Sequence, residues 1–131
     1  MSRSKWDLLV GIAVLMGIFI AAVVLRPVIR WKQIADLPQT QPAAATAVLD
    51  GKVYLAGGAP GKPPYYLSTV QVYDPTLNTW SKATDMPTRR YGAQAAVITS
   101  PNGSQELYVI GGYNGAGTNR VERYNSSTET W

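Results

Sequence analysis

From residue 43 onward the apolar positions fall in runs of about five, separated by Gly, Pro, Asn, Asp and Ser. Such short runs are the signature of β-strands: alternation with period two marks a half-buried strand, and an unbroken run suits one covered on both faces. Residues 43–49 and 93–99 are runs of the unbroken kind. Residues 52–56 and 106–110 each predict a second strand, and Val70 and Val72 alternate ahead of Tyr73 as in a third, with Val121 at the position matching Val70. Asp50-Gly51 predicts a tight hairpin between the first pair, because both residue types accept the positive φ that a two-residue turn requires. The matching hairpin is longer, through Ser100, Pro101, Asn102, Gly103 and Ser104. Asp74-Pro75-Thr76 and Asn125-Ser126-Ser127 are turn sequences that lead to Trp80 and Trp131.

The amino-terminal part has a different pattern. Residues 8–25, LLVGIAVLMGIFIAAVVL, carry no charge and as a helix cover about 27 Å, close to a bilayer hydrocarbon core of about 30 Å. A transmembrane helix over residues 8–26 is therefore predicted, after a flank of residues 1–7. Trp6 and Trp31 border it as interfacial aromatics, and Pro27 ends or bends it. A cleaved leader would have a shorter apolar stretch closing on small residues, whereas Val23, Val24, Leu25 and Arg26 follow here, so the segment reads as an uncleaved anchor. Arg3 and Lys5 oppose Arg26, Arg30 and Lys32. A signal anchor of this kind places the rest of the chain on the extracytoplasmic side of a single-pass membrane protein. Ala13, Gly17 and Ala21 recur every four residues and make one small-residue stripe against which another transmembrane helix can pack.

The strand pattern repeats. Trp31, Trp80 and Trp131 stand 49 and 51 residues apart, WKQIADLP recurs as WSKATDMP, and YDPTLNTW recurs as YNSSTETW. VYLAGG, with Gly57 and Gly58, recurs as LYVIGG, with Gly111 and Gly112. An apolar strand, Gly-Gly, a later Tyr and a Trp seven residues beyond it resembles the Kelch motif, whose period is about 50 residues, and the resemblance covers residues 31–131. It implies an all-β fold of four-stranded antiparallel blades set radially as part of a β-propeller. The chain then divides into the flank, the membrane helix, a stretch 27–42 holding a linker and the outer strand of a preceding blade, a first blade 43–84 and an incomplete second blade 85–131. The glycine pairs, Tyr73, Tyr124, Trp80 and Trp131 are expected to be architectural. Closed propellers hold 4–8 blades; about two are present, so the ring is completed by a longer chain, by further copies, or by a different protein.

Composition narrows the function. Without Cys or His there is no soft-ligand zinc site, thiol nucleophile or His acid/base group, so no catalytic residue, metal site or cofactor is expected. The net charge of +4 lies in residues 1–32, five basic against one acidic, while the remainder balances at seven each. Charge flanking an apolar segment belongs to a membrane surface, and nucleic acid is rejected as a partner. The partners expected are the lipid bilayer and other protein subunits or copies of the chain.

Propeller loops carry binding groups on a rigid scaffold. Thr88-Arg89-Arg90-Tyr91 joins one blade to the next; two guanidinium groups beside an aromatic suit a carboxylate, a sugar or an acidic side chain. The matching stretch Gln39-Thr40-Gln41-Pro42 has no Arg. Tyr65 and Tyr66 sit in a loop three residues longer than its counterpart, where exposed tyrosines favour contact at low entropic cost. The expected contact set is Arg89, Arg90, Tyr91, Tyr65 and Tyr66, on a membrane-anchored interaction module. The alternatives are an accessory single-pass subunit of a larger complex and part of a carbohydrate-active enzyme. Among Kelch-like enzymes, copper radical oxidases need Cys and His, which are missing, and sialic-acid mutarotases do not.

Overall fold

The computed structural model describes residues 30–131. The transmembrane segment expected over 8–26, with its stripe of Ala13, Gly17 and Ala21, lies outside the described residues. Among the described residues no helix is long and apolar enough to cross a membrane.

Ile34–Trp131 is one compact unit. Its strands are β1 (Ala45–Leu49), β2 (Lys52–Ala56), β3 (Val70–Asp74), β4 (Thr79–Ala83), β5 (Gln94–Thr99), β6 (Gln105–Ile110) and β7 (Val121–Asn125). They form two antiparallel meanders, a four-stranded sheet β1-β2-β3-β4 and a three-stranded sheet β5-β6-β7. Asn125 and Thr130 form a lone bridge that begins a fourth strand, in the register of Asp74 and Thr79. Both sheets follow the strands read from the pattern.

The turns are built by the residues that need them. Asp50 and Gly51 have φ of 50° and 72°, the pair of left-handed positions that matches a two-residue hairpin to strand twist. At β3–β4 the Asp74 carboxylate accepts from the Thr76 and Leu77 amides; Asn125 does the same for Ser127 and Thr128. Each of these turns closes on one left-handed residue, Asn78 (φ 53°) or Glu129 (φ 52°).

The core lies between the sheets. One face of the first sheet presents Ala45, Leu49, Tyr54, Ala56, Val70 and Val72, and the second sheet meets it with Leu107, Val109 and Tyr124. Burying each large side chain here is worth about 1.5–3 kcal/mol. At one end of the sheets Asp50 also accepts from the Ser126 hydroxyl at 2.7 Å.

The tryptophans behave as repeat marks in two of three cases. Trp80 packs on Tyr73 at 5.1 Å and Trp131 on Tyr124 at 5.2 Å. The Trp80 indole donates to the Ala35 carbonyl and Trp131 to Thr84, four residues beyond Trp31 and Trp80 respectively. Each bond ties an outer strand to the segment that leads into its own sheet. Trp31 departs from this: it is fully exposed, and residues 30–42 contain no strand, so the outer strand of a preceding blade expected there is not formed among the described residues.

Candidate functional site

Antiparallel order brings the β2–β3, β4–β5 and β6–β7 connections to one end of the two sheets and the tight turns to the other. At the first end the connection between the sheets, residues 84–93, is laced across the β2–β3 loop. The Gly58 amide donates to the Arg90 carbonyl, the Arg90 amide to Leu67 and the Met86 amide to Ser68, all at 2.8–2.9 Å. A side chain at Gly57 would lie 2.3 Å from the Arg90 carbonyl oxygen, with the backbone at φ 75°, so only glycine admits this crossing.

That crossing sets three tyrosines together. Tyr66 stacks on Tyr91 at 5.8 Å with an interplanar angle of 9°, and Tyr113 meets Tyr66 at 6.0 Å and Tyr91 at 5.6 Å, edge to face in both cases. Tyr91 and Tyr113 also exchange both backbone hydrogen bonds, at 3.0 and 2.9 Å. Tyr113 is exposed, Tyr66 and Tyr91 half-buried, and Tyr65 and Arg89 lie exposed in the same loops. Of the residues expected from sequence, Tyr66 and Tyr91 are brought into contact, while Tyr65 and Arg89 remain separate surface groups.

Arg90 requires a correction. It is fully buried; Nε donates to the Thr88 carbonyl, Nη1 to the Gly111 and Arg120 carbonyls, and Nη2 faces Glu122 Oε2 at 2.6 Å. Glu122 Oε1 accepts from the Thr88 hydroxyl. A guanidinium so enclosed holds the connection to β6 and β7 and offers nothing to a ligand. Its counterpart exposes the logic: Gln41 Nε2 donates to the carbonyls of Gly57 and Thr69 while Gln41 Oε1 accepts from Gln71 Nε2, so a Gln–Gln pair in the first sheet replaces the Arg–Glu pair of the second. The absence of Arg at residues 39–42 therefore reflects a neutral version of the same structural device.

Tyr113 was not singled out by sequence reasoning. The available signal is its position: it follows Gly111-Gly112 where Ala59 follows Gly57-Gly58, an aromatic in place of a methyl group. Among the described residues no group of three or more His, Cys, Asp or Glu could hold a metal ion. The tyrosine faces and hydroxyls offer an aromatic contact surface with polar edges.

Twisted antiparallel sheets stacked face to face, with glycine-pair crossings and tyrosine-packed tryptophans, define β-propeller blades. The Kelch motif matches residues 42–87 and 102–131, and the chain belongs to the Kelch-repeat family. It is 33% identical over 100 residues to a putative F-box/kelch-repeat protein of Arabidopsis thaliana, covering 76% of this chain and 38% of that protein. It is also 33% identical over 87 residues to Kelch-like protein 33 of Homo sapiens, covering 66% of this chain and 15% of that one. Among solved structures, that of YjhT superposes with a TM-score of 0.54 at 29% identity, over 65% of this chain and 25% of that chain. The chain thus spans well under half the length of these relatives.

Proposed function

We propose that this chain is a protein-binding module that engages its partner through the tyrosine-lined end of its blades while residues 8–25 hold it in a membrane. The tyrosine cluster carries the reading: Tyr66, Tyr91 and Tyr113 pack against one another, yet Tyr113 remains exposed, as does Tyr65, next to Tyr66 in the chain. Rigid aromatic surface already ordered before contact is what binding hot spots are made of. Arg89 adds a cation suited to an acidic side chain. The apolar run and its basic flanks support the anchor, with the blades on the extracytoplasmic side, and the Ala13, Gly17, Ala21 stripe supports an accessory role beside another transmembrane subunit.

A photo-crosslinking amino acid placed at Tyr65 or Tyr113 in native membranes tests the site. A discrete adduct from these two positions and none from Leu77, exposed at the opposite end, is expected. No adduct from either tyrosine, or equal labelling from Leu77, refutes the site. Extraction by detergent but not by alkaline carbonate, with the blades cleaved by protease added outside the cell, is the result expected of the anchor.

A further inference from the structure

We propose that Asn114-Gly115 is a self-modifying site, at which the asparagine converts to aspartate and isoaspartate without an enzyme and so places a carboxylate in the tyrosine-lined end of the blades. The modification stands on the loop alone; its effect on binding rests on the reading of that end as a partner-binding surface.

Asparagine followed by glycine occurs twice, at Asn102-Gly103 and at Asn114-Gly115. In such a pair the main-chain amide after the asparagine can reach the side-chain carbonyl, because glycine sets no Cβ in the way. The Gly115 nitrogen, losing its proton, attacks Asn114 Cγ. The N–Cγ bond forms, the Cγ–Nδ2 bond breaks, and ammonia leaves with that proton. Water then opens the cyclic imide at one carbonyl or the other, giving aspartate or isoaspartate. The sum is asparagine plus water to acid plus ammonia.

Hydrogen bonding separates the two pairs. At the β5–β6 hairpin the Gly103 amide donates to the Ser100 carbonyl at 2.8 Å. Asn102 Oδ1 accepts from the Ser104 amide at 3.1 Å and from the Ser104 hydroxyl at 2.8 Å. Both reacting groups are thus engaged, the nucleophile by one neighbour and the carboxamide by another. In the β6–β7 loop neither is. Asn114 and Gly115 are exposed, and the bond of this stretch runs from the Asn114 amide to the Ala116 carbonyl at 3.1 Å. No hydrogen bond among the described residues holds the Gly115 amide or the Asn114 carboxamide. Gly115 stands at φ 108° with nothing within 4 Å of where a Cβ would be, and Gly117 is equally open, so the loop is free to bring nitrogen and carbonyl together. Each hydrogen bond that must be undone before attack slows it several-fold, and the bonds around Asn102-Gly103 leave Asn114 the faster by about tenfold or more.

The position gives the reaction a consequence. Tyr113 precedes Asn114 and is bridged to both Tyr91 and Gly117, with residues 114–116 alone between the bridged ends of the loop. Isoaspartate routes the main chain through the side chain, one methylene longer, so this short closure loses its register. Charge changes as well. The exposed cations in the three connections at this end are Lys62, Arg89 and Arg120, while the exposed carboxylate Asp85 is paired with Lys82 at 3.1 Å. A carboxyl group with an ordinary pKa of about 3.9 is ionised at neutral pH, so conversion sets a negative charge beside Tyr113 on a cationic surface. A partner that brings an acidic side chain to Arg89 is repelled by it.

The test is ageing of the full chain in detergent in warm neutral buffer, read by tandem mass spectrometry of the tryptic peptide 91–120, which holds both asparagines. In the folded protein, conversion at Asn114 is expected at least about tenfold faster than at Asn102, with the two rates converging in urea. Equal rates in the folded protein, or a difference that persists in urea, overturns the proposal. Binding is read with the photo-crosslinking amino acid at Tyr65. Adduct yield is expected to fall with the fraction converted in aged wild type, to hold in N114Q aged alongside it, and to start low in N114D. Aged wild type that crosslinks as well as fresh protein overturns the effect on binding. Fresh protein that gives no adduct refutes the partner-binding reading instead, and the rates at the two asparagines still decide the modification.

Discussion

Replacing Arg90 with Met removes a fully buried guanidinium and leaves Glu122, whose side chain is 11% exposed, facing the gap at Nη2. It also strips donors from the carbonyls of Thr88, Gly111 and Arg120. Breaking one side of a buried pair costs about 3–5 kcal/mol, because the remaining charge has lost water and partner together. For about 100 ordered residues each kcal/mol moves Tm by about 4–8 °C, so R90M is expected to melt at least about 12 °C lower. The double variant R90Q/E122Q rebuilds the first blade's arrangement, in which Gln41 Nε2 reaches the equivalent carbonyls at 2.8 and 2.9 Å. It is expected within about 1–2 kcal/mol of wild type, since a neutral pair carries neither ion desolvation nor an orphaned charge. The assay is thermal and urea unfolding of the full chain in detergent, followed by circular dichroism, completed as a double-mutant cycle with E122Q. A double variant no more stable than R90M, or an R90M that melts like wild type, refutes the equivalence of the two pairs.

Other expectations follow from single contacts. G57A forces a Cβ against the Arg90 carbonyl at 2.3 Å, whereas G51A, at nearly the same φ with nothing within 4 Å, meets only backbone strain of about 1 kcal/mol; unfolding should separate them clearly, and equal losses would place the crossing elsewhere. W80F keeps the ring contact with Tyr73 but loses the bond to Ala35, costing about 1 kcal/mol, read as a lower urea midpoint at unchanged slope. Burial pushes the Tyr54 and Tyr124 phenols above their ordinary value of 10.0, helped by Asp50 and Glu129 at Tyr54 and by mutual repulsion with Tyr54 and by Glu129 at Tyr124. Their neutral forms are favoured in the fold, so stability is full below pH 10 and falls as pH rises through the folded values; Y54F/Y124F should flatten that alkaline loss. The hydrogen bond from Lys52, with the Leu77 and Thr76 amides, holds Asp74 below its ordinary 3.8, so its contribution is present above that value and vanishes on acidification. D74N should remove this acid-side slope in a pH series of melts.

Much of the fold was legible in the residue pattern because the rules that form a blade are local. Period-two alternation places β2 and β3, Asp50-Gly51 dictates its hairpin, and a Tyr seven residues before a Trp marks a strand pair whose rings meet at about 5 Å. Trp31 keeps the repeat spacing yet stands exposed outside any strand among the described residues, since a spacing alone does not supply the neighbouring strand that an outer strand pairs with. Arg90 shows a different limit. Two adjacent arginines are alike as letters, yet one is exposed and the other entirely enclosed, because enclosure depends on Glu122 and on the carbonyls of Gly111 and Arg120, at the two ends of the β6–β7 loop, 21 and 30 residues away. Tyr113 joined the site for the same kind of reason, a backbone bridge to Tyr91 that no local pattern encodes. The chain alone decided which segments become strands, since side-chain periodicity acts within five residues; which faces are covered, which charge is spent inside and which tyrosines meet were decided by packing between sheets, where the partners are distant in sequence.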